Sequence, residues 1–110
     1  MYKGEGAAME HYTYIPITAD PVVLNLDGCK DWGTLHRRIR KTFGFPDYYG
    51  ENWDAMWDCL TDVFLQPVQR HIVVEGFDSM PQELQEYAAP MREIFSDLQR
   101  KYPWVTVAYR

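Results

Sequence analysis

Three short runs rich in β-forming residues alternate with segments whose apolar positions recur at helical spacing. Val22 to Leu26 (VVLNL) reads as the first strand, closed by Asp27-Gly28. Asp31 then predicts a helix cap, with Trp32, Leu35, Ile39 and Phe43 along one side and Gly44 as its end. A loop from Phe45 to Glu51 leads into a second helix from about Asn52 to Asp62, and Pro67 punctuates the next connection. His71 to Glu75 (HIVVE) has the apolar run of a buried strand. Ser79-Met-Pro-Gln82 predicts a capping box opening a short helix. Pro90 predicts the start of another, with Met91, Ile94, Phe95 and Leu98 buried. Lys101-Tyr-Pro103 stops that helix, and Val105 to Tyr109 forms the last strand. Strand, two helices, strand, two helices, strand implies a mostly parallel sheet covered by its crossover helices.

The second helix has two faces with opposite character. At 100° per residue Met56, Cys59, Leu60 and Val63 form a core-facing stripe. Asp54, Trp57, Asp58 and Thr61 fall together on the other side. Like charges four residues apart cost a helix about 0.2–0.5 kcal/mol. Asp58 and Asp62 also lie toward the negative end of the helix dipole. From Thr42 to Gln69 there is no Lys, Arg or His, while Asp47, Glu51, Asp54, Asp58 and Asp62 all fall in that window. Acidic strain of this kind, beside two tryptophans and behind two tyrosines, is the composition of a protein-binding surface.

Composition narrows the partner. At 110 residues, with 46% hydrophobic and 15% aromatic residues, the chain reads as one folded domain. A net charge of −5 disfavours nonspecific contact with nucleic acid or an anionic membrane and favours a basic partner. No apolar run approaches a membrane span and no secretory signal is apparent, so a cytoplasmic protein is expected. The first ten residues read as a flexible tail. Residues 11–17 contain β-formers but also Pro16, so residues 1–20 are expected to be a flexible extension or an edge strand ahead of a domain over 21–110. Cys29 and Cys59 are too few for a disulfide framework and are read as reduced thiols, Cys59 as core filler.

Other chemistries fit less well. Asp54 and Asp58, with Thr61, could offer oxygens to one hard cation, but neither an EF-hand loop nor a His/Cys set accompanies them. A glycosidase pair needs an enclosing cleft that separates the two pKa values, which one solvent-facing helix turn does not supply. The basic run His36 to Lys41 is read as a solvated helix end, because Ile39 within it belongs to the core stripe. The histidines His11, His36 and His71 are scattered and carry no expected role. No cofactor and no catalytic residue is expected.

Residues 46–61, PDYYGENWDAMWDCLT, resemble the signature segment of the barstar family, intracellular protein inhibitors of barnase-type ribonucleases. Weaker similarity runs over 22–110, through the strand followed by Asp/Gly, the Leu35-His36 pair and the closing Trp104-Val-Thr-Val107. The resemblance implies an α/β fold, a three-stranded parallel sheet packed with about four helices. It implies that the second helix and the loop before it enter the enzyme's active site in a 1:1 complex, the free protein being a monomer. The contact residues it implies are Tyr48, Tyr49, Gly50, Asn52, Trp53, Asp54, Ala55, Trp57, Asp58 and Thr61. Asp58 would stand in for a substrate phosphate, and Asp54 would pair with neighbouring basic groups. Asp97 falls where the family often has a glutamate making an outer salt bridge.

The rim departs from the family pattern. Asp62-Val63 replaces a common Gly-Trp, so Asp62 becomes a contact candidate at an altered end; the Phe64–Arg70 connection is longer, and Lys101 reverses a rim charge. The leading expectation is a non-enzymatic inhibitor of a basic, barnase-type ribonuclease. An immunity or regulatory module binding another basic protein or nuclease toxin is the alternative. A small metal-dependent hydrolase using Asp54 and Asp58 is the reading from a different class.

Overall fold

The computed structural model describes residues 13–110. Three parallel strands, β1 (Val22–Asn25), β2 (Arg70–Glu75) and β3 (Val105–Tyr109), form one sheet in the order β1-β2-β3. The register sets Val22 beside Ile72 and Ile72 beside Val107. Four helices, α1 (Trp32–Phe43), α2 (Trp53–Val63), α3 (Gln82–Tyr87) and α4 (Ala89–Lys101), make the crossovers, with a 3-10 turn at Phe77–Ser79. This is the predicted α/β architecture. The core collects Leu24, Ile72 and Val74 from the sheet, Leu35, Ile39 and Phe43 from α1, Met56 and Leu60 from α2, and Met91, Phe95 and Leu98 from α4.

Local chemistry fixes the helix ends. The Asp31 carboxylate accepts from the Thr34 amide at 2.8 Å, and Gly44 ends α1 in the left-handed region at φ 68°. Asn52 caps α2 in the same way, accepting from the Ala55 amide at 2.8 Å. The capping box expected at Ser79 does not form. Ser79 lies at the end of the 3-10 turn, where its hydroxyl donates to the Gly76 carbonyl at 2.6 Å, and α3 starts behind Pro81 without a side-chain cap. Pro90 sits in the first turn of α4, where its missing N–H costs nothing.

Two expectations about side chains change. Trp32 is 55% exposed and leaves the core stripe that spacing predicts for α1; His36 takes the buried place instead. An imidazole can fill that place because hydroxyl groups satisfy both of its nitrogens there, as described below. Residues 13–20 form no edge strand. They run extended across the ends of α1, α2 and β2, and Ile15 donates one backbone hydrogen bond to Gly44. His11 and the first ten residues lie outside the described residues.

Candidate functional site

α2 carries the predicted two faces. Met56, Cys59 and Leu60 are buried, Val63 half-buried, and Asp54 and Asp58 exposed. Trp53 and Trp57 are half-buried, their inner edges packed on the core. No side chain among the described residues hydrogen-bonds or pairs with the carboxylate of Asp54 or Asp58. Two members of the acidic window are relieved from outside it. Arg40 donates to the Asp47 carboxylate at 2.6 Å, and the Tyr14 hydroxyl donates to Asp62 at 2.8 Å. That leaves Glu51, Asp54 and Asp58 without a hydrogen bond or ion pair to a side chain among the described residues, and the two aspartates share one exposed face of α2.

α2 packs against α4, and the seam between them opens into a groove of about 530 Å³. Trp53, Asp54, Trp57 and Asp58 line one wall; Pro90, Glu93, Ile94 and Asp97 line the other. Four carboxylates thus surround an apolar floor. Asp97 is held by Arg100 one turn on, which offsets part of that charge. All four are exposed, and carboxylates gathered along one concave surface focus a negative field there. What the groove can do is hold cations. Among the described residues no three His, Cys, Asp or Glu side chains converge as metal ligands, so the metal-dependent hydrolase has no ligand set there.

The loop ahead of α2 is braced from below. A turn brings the Tyr49 amide to the Pro46 carbonyl at 3.0 Å, and the Tyr49 ring packs 5.1 Å from that of Phe45. Tyr48 projects outward, 59% exposed. Gly50 is exposed where an added Cβ would meet the Asn52 side-chain nitrogen at 3.1 Å, so glycine lets the loop close onto the helix cap. Ala55 is half-buried, and Thr61 turns its hydroxyl back to the Asp58 carbonyl at 2.9 Å.

Tyr49 is corrected as a surface residue: it is 5% exposed, and its hydroxyl stands 2.7 Å from Nδ1 of His36. Nε2 of His36 stands 2.7 Å from the Tyr87 hydroxyl, and the Trp53 ring lies 4.7 Å away. His36, expected to carry no role, joins α1, the loop, α2 and α3 in one cluster around its own buried ring. Burial depresses its basicity and raises the Tyr87 phenol, and the buried Tyr49 phenol is raised further. His71 also has a partner, since its Nδ1 lies 3.0 Å from the Asp20 carboxylate.

The predicted residues do not all share one surface. Trp53, Asp54, Trp57, Asp58 and Asp97 share the groove, with Tyr48, Gly50 and Asn52 on the loop leading into it. Asp62 is bound to Tyr14 and does not line the groove. Sequence reasoning missed Glu93. Its spacing from Asp97 on α4 repeats that of Asp54 and Asp58 on α2, which was the available signal. It also missed the groups that hold the end of α2. The Tyr102 hydroxyl donates to the Thr61 carbonyl and Trp104 Nε1 to the Phe64 carbonyl, each at 2.9 Å. These donors replace the glycine cap that α2 lacks. Both thiols are free and buried, and burial raises them, as suits filler and not nucleophiles. No helix among the described residues is long and apolar enough to cross a membrane.

Comparison with known proteins agrees with this geometry. The family model described as Barstar (barnase inhibitor) matches residues 19–108. The chain is 36% identical over 67 residues to the Bacillus subtilis (strain 168) protein named "Putative ribonuclease inhibitor YrdF", across 61% of this chain and 71% of that one. The family match takes in β1, β2 and β3 as far as Ala108, the cap of α2 and both walls of the groove. The chain belongs to the barstar family.

Proposed function

We propose that this protein is a cytoplasmic inhibitor of a basic ribonuclease of barnase type, bound 1:1 through the outer face of α2, the loop before it and the wall of α4. The observation that carries this reading is the uncompensated pair Asp54 and Asp58, held between half-buried tryptophans on a rigid helix. Their mutual repulsion lowers the stability of the free chain, and a cationic pocket would reverse that cost. A ribonuclease active site is such a pocket, built to hold phosphates, and an aspartate offers it charge without a bond to cleave. Asp58 is the central anchor, Asp54 and Asp97 pair with neighbouring cations, and Tyr48 and Trp57 exclude water around them. Long-range attraction between the acidic groove and a basic enzyme speeds encounter, so the association rate should fall as salt rises.

The purified chain should block RNA cleavage by a barnase-type enzyme. Asp58→Ala should weaken that complex far more than Glu83→Ala, since Glu83 lies on α3 and outside the groove. Equal effects at the two sites would reject α2 as the binding face. A basic protein other than a ribonuclease is the second reading, favoured by the altered shoulder where Tyr14 engages Asp62. Binding to such a protein, with no inhibition of RNA cleavage, would select it.

A further inference from the structure

The segment ahead of β1 lies largely before the family match, which begins at residue 19, yet it is tied to the domain at four places. The Tyr14 hydroxyl reaches the Asp62 carboxylate on the last turn of α2 and also interacts with the Cys59 thiol beneath it. Ile15 donates its amide to the Gly44 carbonyl at 2.8 Å, so close that a Cβ on Gly44 would meet the Ile15 oxygen at 2.1 Å. The Arg70 guanidinium donates to the Ile17 and Ala19 carbonyls at 3.3 and 3.4 Å. Asp20 accepts from the His71 amide at 2.8 Å. Such a series of contacts fixes the path of an extended segment that has no ladder of its own.

We propose that residues 14–20 are a strap that sets the C-terminal shoulder of α2, with Tyr14 as the positioning residue for Asp62. Three features combine there. Asp62 faces the negative end of the helix dipole and follows Asp58 by one turn, so an unpartnered carboxylate would push that turn apart. A donated hydroxyl bond offsets both effects while keeping the charge. Tyr102 and Trp104 hold the carbonyls of the same turn from the other side, so the strap completes the brace around it. The docking of the strap stands on these contacts alone. Its consequence for a partner rests on the ribonuclease-inhibitor reading: a fixed shoulder keeps Asp54 and Asp58 aimed together, which slows dissociation and leaves encounter unchanged.

The test has two arms on the full chain. In the free protein, peptide-resolved labelling with a small disulfide reagent compares Cys59 with Cys29, which lies in the turn between β1 and α1, at the other end of β1 from the strap. Tyr14→Ala should speed labelling of Cys59 on the order of tenfold, about 1.4 kcal/mol of local opening, and leave Cys29 unchanged. Tyr14→Phe, which keeps the ring, should give a smaller rise. In the second arm a barnase-type ribonuclease is the probe. Tyr14→Phe should raise the dissociation rate roughly threefold to tenfold, as one lost hydrogen bond allows, with the association rate and its salt slope unchanged. Combining Tyr14→Phe with Asp62→Asn should give no further loss, a coupling that a general loss of stability would not produce. Unchanged Cys59 labelling in Tyr14→Ala, or purely additive effects in the double variant, would overturn the strap. Failure of every barnase-type enzyme to bind would reject the functional reading instead, and the labelling result would still decide whether the strap docks.

Discussion

Nδ1 of His36 and the hydroxyl of Tyr49 stand 2.7 Å apart in the core, which makes the loop ahead of α2 a buried element on one side and an exposed one on the other. Neighbouring tyrosines therefore have separate duties. Tyr49→Phe removes the hydroxyl and leaves a buried imidazole nitrogen without a partner, which should cost about 1–3 kcal/mol of stability. Tyr48→Ala touches little of the core and should leave the unfolding midpoint nearly unchanged while weakening a bound partner. Urea unfolding of both variants, beside calorimetric titration with a barnase-type ribonuclease, checks the split. A stability loss at Tyr48 equal to that at Tyr49 would contradict it.

Stability should also depend on pH through the same histidine. A neutral imidazole donates at one nitrogen and accepts at the other, which two tyrosine hydroxyls satisfy. Protonation turns both nitrogens into donors and places a charge where burial opposes it, so burial holds the folded value below the usual 6.5. Nearby Glu51 works in the opposite direction and only partly offsets burial. The sign follows: the unfolded chain takes up its proton first. Stability is complete above about pH 6.5 and is lost as pH falls from there through the depressed folded value, at up to about 1.4 kcal/mol per pH unit from this one group. His36→Gln should flatten that slope. Urea midpoints measured at intervals from pH 8 to 5 report it, and an unchanged slope in the variant would assign the effect to other groups.

Asp58→Ala should move stability and binding in opposite directions. Removing the charge relieves an i, i+4 repulsion with Asp54 and an unfavourable place on the helix dipole. The free chain should therefore gain a few tenths of a kcal/mol, up to about 0.5. The proposed complex should lose far more than that, because cationic groups placed to receive the carboxylate would stay buried and unpaired. Thermal unfolding of the free variant and its affinity, measured together, test the trade; a destabilised free variant would show that Asp58 has a structural duty instead.

How much of this was legible in the sequence depends on whether a residue's partner is near in the chain. Asp31 and Gly44 are read correctly because their partners lie within one turn, where spacing alone decides. The stripe of α2 and the succession of strands and helices along the chain follow from periodicity in the same way. The groove, by contrast, needs α4 to lie beside α2. Glu93 joins Asp54 through a packing that no local pattern encodes. His36 and Tyr49 fail for the same reason. They are 13 residues apart, and each looks polar until a hydroxyl and a ring nitrogen are brought together in the core. Ser79 misleads in the other direction. Its pattern matches a capping box, but Asp27, 52 residues away, and the carbonyl of Gly76 take its hydroxyl. Local competition by a serine side chain for backbone groups is ordinary chemistry, and only the fold chooses the winner.

Gly44 offers a test of the strap that needs no partner. Its φ of 68° lies in the left-handed region, which glycine enters freely and asparagine enters at small cost. Were that the whole reason for glycine, Gly44→Asn would be nearly neutral and Gly44→Ala would cost about 1 kcal/mol. The Ile15 carbonyl changes the expectation, since any Cβ at residue 44 would come within 2.1 Å of that oxygen. Backbone must then shift, and the bond from the Ile15 amide to the Gly44 carbonyl must lengthen with it. Both substitutions should therefore destabilise the protein by roughly 2 kcal/mol or more, with asparagine little better than alanine. Unfolding in urea separates the cases: two equally large losses mean that the strap lies against the end of α1, whereas a silent Gly44→Asn means that backbone conformation alone selects the glycine.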